Sequence, residues 1–336
     1  MTHLLALATV LAALSAPPEA LNPRERYEFA EMLMGMQFKL VVYAPDGESA
    51  NKAAQAAFRR IQELNDVCSD YQADSELSRL CQTAGQGKAV PISEDLRIVL
   101  EQSQRLAELS DGAFDPTVGP LTRLWRRSRR SKTLPAKDVL ESARAAVGYR
   151  HLRLNLEHET AELLLPKMQL DLGGIAVGYA IDEALLVLKS HGITSALIDG
   201  SGDIGVSDAP PGTDGWRIGV APLDAEAEPS RYLVLKNAAV TTSGDAFQFV
   251  EIDGVRYSHI VDPKTGLGLT RPTSVTVIAR NCREADSYAT AVCVLGPKRG
   301  LKFIANRKGT EALIVTRVAD KTETWESPGF QSWQAK

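Results

Sequence analysis

The stretch 274-SVTVIARNCREADSYATAVCVL-295 decides the fold class. Its first six residues, rich in Val, Thr and Ile, read as a strand. A helix over residues 283–295 follows, entered through Asn281 with Glu284 three positions on, as in a capping box. Upstream the pattern is strand after strand, at about 217–221, 232–235, 246–252, 256–261 and 274–279, with Gly254 turning one strand into the next. Downstream, a second helical segment covers 298–306, and a strand at 311–316 ends the core. Nearer the N-terminus, a strand at 38–44 precedes helices at 50–66, 93–109 and 134–147. Strands at 151–156 and 162–170 come next. A helix at 175–191 is entered through Gly173-Gly174 and closed by Gly192, before a short strand at 195–199. Helices set apart from a strand-rich middle make an α+β order rather than strict βα alternation. No internal repeat stands out, and residues 208–215, rich in Pro and Gly, form the one candidate insertion loop.

The chain has 336 residues, 44% of them apolar and 24% charged, which suffices for a substantial core. A net charge of −4 gives no field for binding nucleic acid. The basic run 123-RLWRRSRRSK-132 reads as a solvated loop or helix face. Residues 4–14 are uncharged and apolar and are followed by Ser15, Ala16, Pro17 and Pro18, so residues 1–20 fit a secretory signal, although no Lys or Arg precedes the run. Export to the periplasm or cell envelope is the expectation. No Cys follows the run, so a lipoprotein anchor has no attachment point. Of the four cysteines, Cys282 and Cys293 read as small core residues, and an exported protein would allow a Cys68–Cys81 disulfide. The remainder, residues 24–336, reads as one enzyme domain.

Five segments could carry chemistry. On a helix, Asp286 and Thr290 share a face and offer two hard oxygen donors, a choice that suits Mg²⁺; helix capping by acids near the start accounts for the same residues. Asp171-Leu172-Gly173-Gly174 is a strand-to-helix turn where a phosphate can approach the backbone and a helix N-terminus. Its spacing is neither GxGxxG nor a P-loop. Residues 258–266 end a strand in a Pro/Gly turn carrying His259, a candidate base. Residues 111–121 form a dense turn, and Ser75, in the segment 71–78, could cap a helix.

Taken in order, these segments resemble the ApbE family, the FAD:protein FMN transferases. The family's Met-Gly is matched by Met34-Gly35, and its Ser/Thr-Tyr and Ser-Glu-Leu-Ser-Arg by Ser69 to Tyr71 and Ser75 to Arg79. Gly-x-Phe-Asp-x-Thr-Val-Gly-Pro-Leu is matched over 112–121. Asp-Leu-Gly-Gly-Ile-Ala-Lys-Gly-Tyr is matched over 171–179, with Val177 in place of Lys. Thr-Ser-Gly-Asp falls at 242–245, His-Ile-x-Asp-Pro-x-Thr-Gly at 259–266, and Ala-Asp-x-x-Ala-Thr-Ala at 285–291. The resemblance implies a mixed, largely antiparallel sheet core flanked by helices. It implies cleavage of FAD at its pyrophosphate, attachment of FMN through a phosphoester to a Thr of an acceptor protein, and release of AMP. It implies an acceptor among redox-pump or Rnf-type flavoprotein subunits on the membrane side. Carried over by position, Mg²⁺ falls to Asp286, Thr290 and the Gly174 carbonyl. The FAD site falls to Met34, Tyr71, Ala113, Phe114, Asp115, Asp171, Val177, His259 and Ile260, with His259 as the base. Since Val177 supplies neither charge nor donor, the resemblance leaves two alternatives open: an FAD pyrophosphatase releasing FMN and AMP, or a flavin-binding protein without turnover.

Overall fold

The structure, a computed structural model, describes residues 24–223, 228–245, 248–318 and 321–335. The expected signal segment and Ala246-Phe247 lie outside these. Two long strands, β1 (Glu25–Leu33) and β2 (Met36–Ala44), form an opening hairpin turned at Met34 and Gly35, both with positive φ. Helices α1 (Gly47–Cys68), α2 (Glu76–Cys81) and α3 (Glu94–Leu109) follow, with β3 (Val90–Pro91) between the last two. Asp46, Ser75 and Ser93 cap the three helices through their side-chain oxygens. Helices α4 (Gly119–Ser131) and α5 (Lys137–Arg144) lead to β4 (Leu152–Asn155) and β5 (Thr160–Leu163).

Helix α6 (Ala176–Ser190) precedes β6 (Ala196–Gly200), β7 (Asp203–Val206), β8 (Trp216–Gly219), β9 (Tyr232–Leu235), β10 (Ala238–Gly244), β11 (Phe249–Ile252), β12 (Val255–Ser258) and β13 (Thr273–Ala279). Helix α7 (Cys282–Ala305) is kinked at Gly296-Pro297, and β14 (Glu311–Val318) and β15 (Lys321–Glu326) end the fold.

Eight strands form one antiparallel sheet in the order β1-β2-β6-β7-β10-β13-β14-β15. One face carries α1, α6 and α7 over the main core, where Phe38, Leu40, Ile61, Ile198, Val275, Val277 and Ile314 meet. The other face is covered by the β8–β9 hairpin and Phe330 against Val240, Ile278 and Leu313. Alternation along β13 explains the division, since Val275, Val277 and Ala279 face the helices and Ile278 faces away. A third cluster joins α4 to the β11–β12 hairpin through Leu121, Trp125, Val250 and Tyr257.

The α+β order and the largely antiparallel sheet flanked by helices are observed. Several local expectations are corrected. Strand β1 precedes the strand expected first, β7 and β10 were not anticipated, and β15 follows the strand expected to be last. Residues 164–170 leave the strand conformation around Pro166 and Lys167, the latter at φ 64°. The basic run is a helical face on α4, and the helix expected over 134–147 spans only α5. All four cysteines are free and buried, so no Cys68–Cys81 disulfide forms. Cys81 Sγ instead accepts the Leu170 N–H at 3.2 Å.

Candidate functional site

The start of α6 lies against the start of α7. Asn281 caps α7 by accepting the Glu284 N–H at 2.9 Å, and Asp182 of α6 accepts the Cys282 and Arg283 N–H groups at 2.7 and 3.2 Å. Capping is thereby assigned to other residues, and Asp286, one turn further on, is free of that duty. Its Oδ2 accepts the Gly178 N–H at 3.2 Å. Gly178 lies in the first turn of α6, where N–H groups have no acceptor within the helix, so Asp286 supplies one; the Gly174 carbonyl, just before the N-cap Ile175, accepts no hydrogen bond among the described residues. A Cβ built on Gly174 would stand 3.0 Å from Thr290 Oγ1 and 3.3 Å from Phe114 Cε2. The Gly174 backbone therefore lies against Thr290, and Gly178 against Asp286. Gly178 is required for the same approach, because a Cβ there would lie 2.5 Å from the Cys282 carbonyl oxygen.

The Asp286 carboxyl is buried, and no Lys or Arg among the described residues pairs with it. Burial, and then the neighbouring Asp203, push its pKa well up. Asp203 is itself raised by burial. A buried carboxyl near a second acid, with the Thr290 hydroxyl one helical turn on, offers oxygen donors of the kind a hard cation takes. Among the described residues no three His, Cys, Asp or Glu side chains converge on one point. The expected donor set is of a different kind, with one carboxylate, one hydroxyl and one carbonyl.

The residues expected to face the flavin form a second group. Asp171 Oδ1 accepts the Gly173 N–H at 2.9 Å, and its Oδ2 accepts from Thr122 Oγ1 at 2.7 Å and from Arg126 at 3.0 Å. Arg126 also pairs with Asp70 at 2.6 Å and lies 4.1 Å over the ring of Tyr71, which is 78% exposed. Ala113 and Phe114 are buried on the adjoining turn. Asp115 is buried with both oxygens occupied: Oδ1 by the Thr117 N–H and hydroxyl, Oδ2 by the Tyr149 N–H at 3.1 Å. It locks that turn. A cleft of about 670 Å³ opens beside it, between Gly112, Tyr149 and Lys264. Val177 is buried, its Cγ1 3.1 Å from where a Cβ on Gly200 would lie. Met34 sits at the β1–β2 turn with its side chain packed on the main core, and no hydrogen bond or ring contact joins it to the other site residues among those described.

The 258–266 loop is fixed to α4 by Trp125, whose Nε1 donates to the Ser258 carbonyl at 2.9 Å. Ile260 is buried beneath it, its N–H on Ser258 Oγ at 3.1 Å. His259 Nδ1 faces the Gln248 carbonyl at 3.2 Å. A carbonyl only accepts, so Nδ1 carries the proton and Nε2 keeps its lone pair in the neutral ring. Burial holds the His259 pKa below its usual value; the Gln248 carbonyl and Asp245 oppose this, and the charge of Arg129 adds to it. Sequence reasoning missed Arg126, Thr122, Asp70 and Gly178. The three-residue spacing of Arg123, Arg126 and Arg129 beside Leu121 and Trp125 was the available signal for an amphipathic helix facing the site.

A family model described as the ApbE family matches residues 34–314. A curated FAD:protein FMN transferase of Vibrio cholerae is 31% identical over 320 residues, covering 94% of this chain and 95% of the relative. The protein of that name from Treponema pallidum is 32% identical over 306 residues, covering 86% and 84%. Among solved structures, the flavin transferase ApbE from Vibrio cholerae superposes with a TM-score of 0.83 at 30% identity, covering 93% of this chain and 100% of that one. The ApbE protein of Thermotoga maritima gives 0.81 at 28% identity, with 93% and 100% covered.

Proposed function

The chain belongs to the ApbE family, and from that premise we propose that it is a Mg²⁺-dependent FAD:protein FMN transferase that joins FMN to a Thr of an acceptor protein and releases AMP. The observation that carries this reading is the meeting of the two helix starts, where the Gly178 N–H holds the buried Asp286 carboxyl and the Gly174 backbone lies against Thr290. Asp286, Thr290 and the Gly174 carbonyl would hold the ion. Bound there, Mg²⁺ offsets negative charge gathering on the pyrophosphate during phosphoryl transfer. Tyr71, under Arg126, offers a flat surface for a flavin or nucleobase ring, and Asp171 keeps the Gly173-Gly174 turn open to phosphate.

His259 Nε2 takes the proton of the acceptor Thr hydroxyl as its oxygen bonds the flavin-side phosphorus. The bond from that phosphorus to the bridging oxygen breaks, and AMP leaves with that oxygen. Burial favours neutral His259 and hence the base. The acceptor would be a redox-pump or Rnf-type subunit presented at the membrane side, reached by export through residues 1–20.

Incubation with FAD, Mg²⁺ and an acceptor domain tests the reading. Covalent flavin fluorescence on the acceptor, with AMP released in equal amount and both abolished by EDTA, is expected. FMN and AMP released without labelled acceptor would make the chain a hydrolase, and no AMP in any mixture would overturn the enzymatic reading.

A further inference from the structure

Arg129 stands on α4 three residues past Arg126 and four past Trp125, so the three share one side of the helix. Both neighbours are anchored to the site. Arg126 covers Tyr71 and bonds Asp171. Trp125 holds Ser258, the residue before His259. Arg129 is half-buried between these anchors, and its charge acts on both ends, drawing down the pKa of His259 and opposing the rise at Tyr71. Arg126 has Asp70 and Asp171, and Arg123 has the Asp70 carbonyl. Arg129 has no carboxylate, hydrogen bond or ring partner among the described residues. A half-buried guanidinium held beside a flavin nucleotide site without a counter-ion is suited to a phosphate, which it can meet with two parallel N–H donors.

We propose that Arg129 binds a phosphoryl oxygen of the FMN half of FAD, holding it between Tyr71 and His259 and supplying the positive charge that Val177 does not. The proposal rests on the flavin transferase reading. It makes α4 part of the substrate site, and makes this part of the basic run a specific anion contact.

The test is titration of FAD, FMN, AMP and riboflavin into the wild type and into Arg129→Ala, Arg129→Lys and Arg130→Ala, the last being an exposed α4 position. Arg129→Ala is expected to weaken FAD and FMN by about 10–100-fold, as loss of a charge-assisted pair does. Riboflavin, which lacks phosphate, and AMP should change by less than about 2-fold, a shift of under ~0.5 kcal/mol. Arg129→Lys should recover part of the loss, and Arg130→Ala should match the wild type. Unchanged FMN affinity in Arg129→Ala, an equal loss for riboflavin, or a loss confined to AMP would overturn the proposal while leaving the transferase reading intact. A wild type that binds no FAD would overturn both.

Discussion

The Gly178 N–H donates to Asp286 Oδ2 across 3.2 Å, so the first turn of α6 holds a carboxylate of α7 in place. The bond does two things at once. It orients the buried acid, and it gives an acceptor to a first-turn N–H that α6 itself cannot satisfy. Two helix starts brought together by glycine thus form a notch, with Asp286 against Gly178 and Thr290 against Gly174.

Filling that notch should disable it. Gly174→Ala places a methyl 3.0 Å from Thr290 Oγ1 and 3.3 Å from Phe114. Overpacking of this kind costs about 1–3 kcal/mol, so the variant should fold with a lowered melting temperature. Its Mg²⁺ affinity, measured by calorimetry with FAD present, should fall about 10-fold or more, the factor that corresponds to ~1.4 kcal/mol of lost binding. Wild-type affinity in a folded variant would show that the notch does not hold the ion.

Val177 gives a second outcome. Its side chain packs toward Gly200 in the main core, where β6 turns into β7 and Asp203. Val177→Lys should raise the rate of flavin transfer, with Mg²⁺ binding retained. The stem has to pass through packed space, so stability should drop by about 1–3 kcal/mol. No gain in rate or FAD affinity would mean that this chain does not need a cation at position 177.

His259 sets the pH dependence. Its pKa is lowered, so the neutral base is lost only as the pH falls through a midpoint below the usual 6.5. Transfer should therefore rise through that midpoint and level off above it. His259→Gln should cost about 10²–10⁴-fold in rate, the usual share of general base catalysis, while FAD binding persists. Full activity in that variant, or a rate still rising well above pH 7, would remove His259 as the base.

Away from this notch, Asp182 couples stability to pH. Burial raises its pKa from 3.8 to about 6 while its oxygens cap α7. The folded state holds this proton more tightly than the unfolded state, so the contribution is full below pH 3.8 and is lost as the pH rises through about 6. The amount is on the order of 3 kcal/mol. Melting temperatures of the wild type and Asp182→Asn, compared over this range, should shift in favour of the variant as pH rises. A constant difference would contradict the account.

The features readable from the sequence were those with a local physical signature. Ser93 before two acids marked the start of α3, Gly192 the end of α6, and the Val, Thr and Ile run the strand β13. β10 was not readable because Ala, Thr, Ser and Gly carry little apolar pattern, and its place is set by pairing with β7 and β13 on either side. The Asp286–Thr290 spacing was visible, but Gly178 as its partner was not, since 108 residues separate donor and acceptor. Arg126 and Arg129 read as a solvated face because charge runs usually are one; only the docking of Trp125 on Ser258 turns that side of α4 toward the site. Asp115 was read as a flavin residue, and its hydrogen bonds to Thr117 and Tyr149 give it the work of locking its turn.

The most direct test of the metal claim is a calorimetric titration of Mg²⁺, with FAD present, into the wild type and Asp286→Ala. The wild type should bind with saturation, and the variant, folded by circular dichroism, should show no binding in the same range and no AMP release. Equal Mg²⁺ binding by the two proteins would contradict the assignment of Asp286, Thr290 and the Gly174 carbonyl as the metal site.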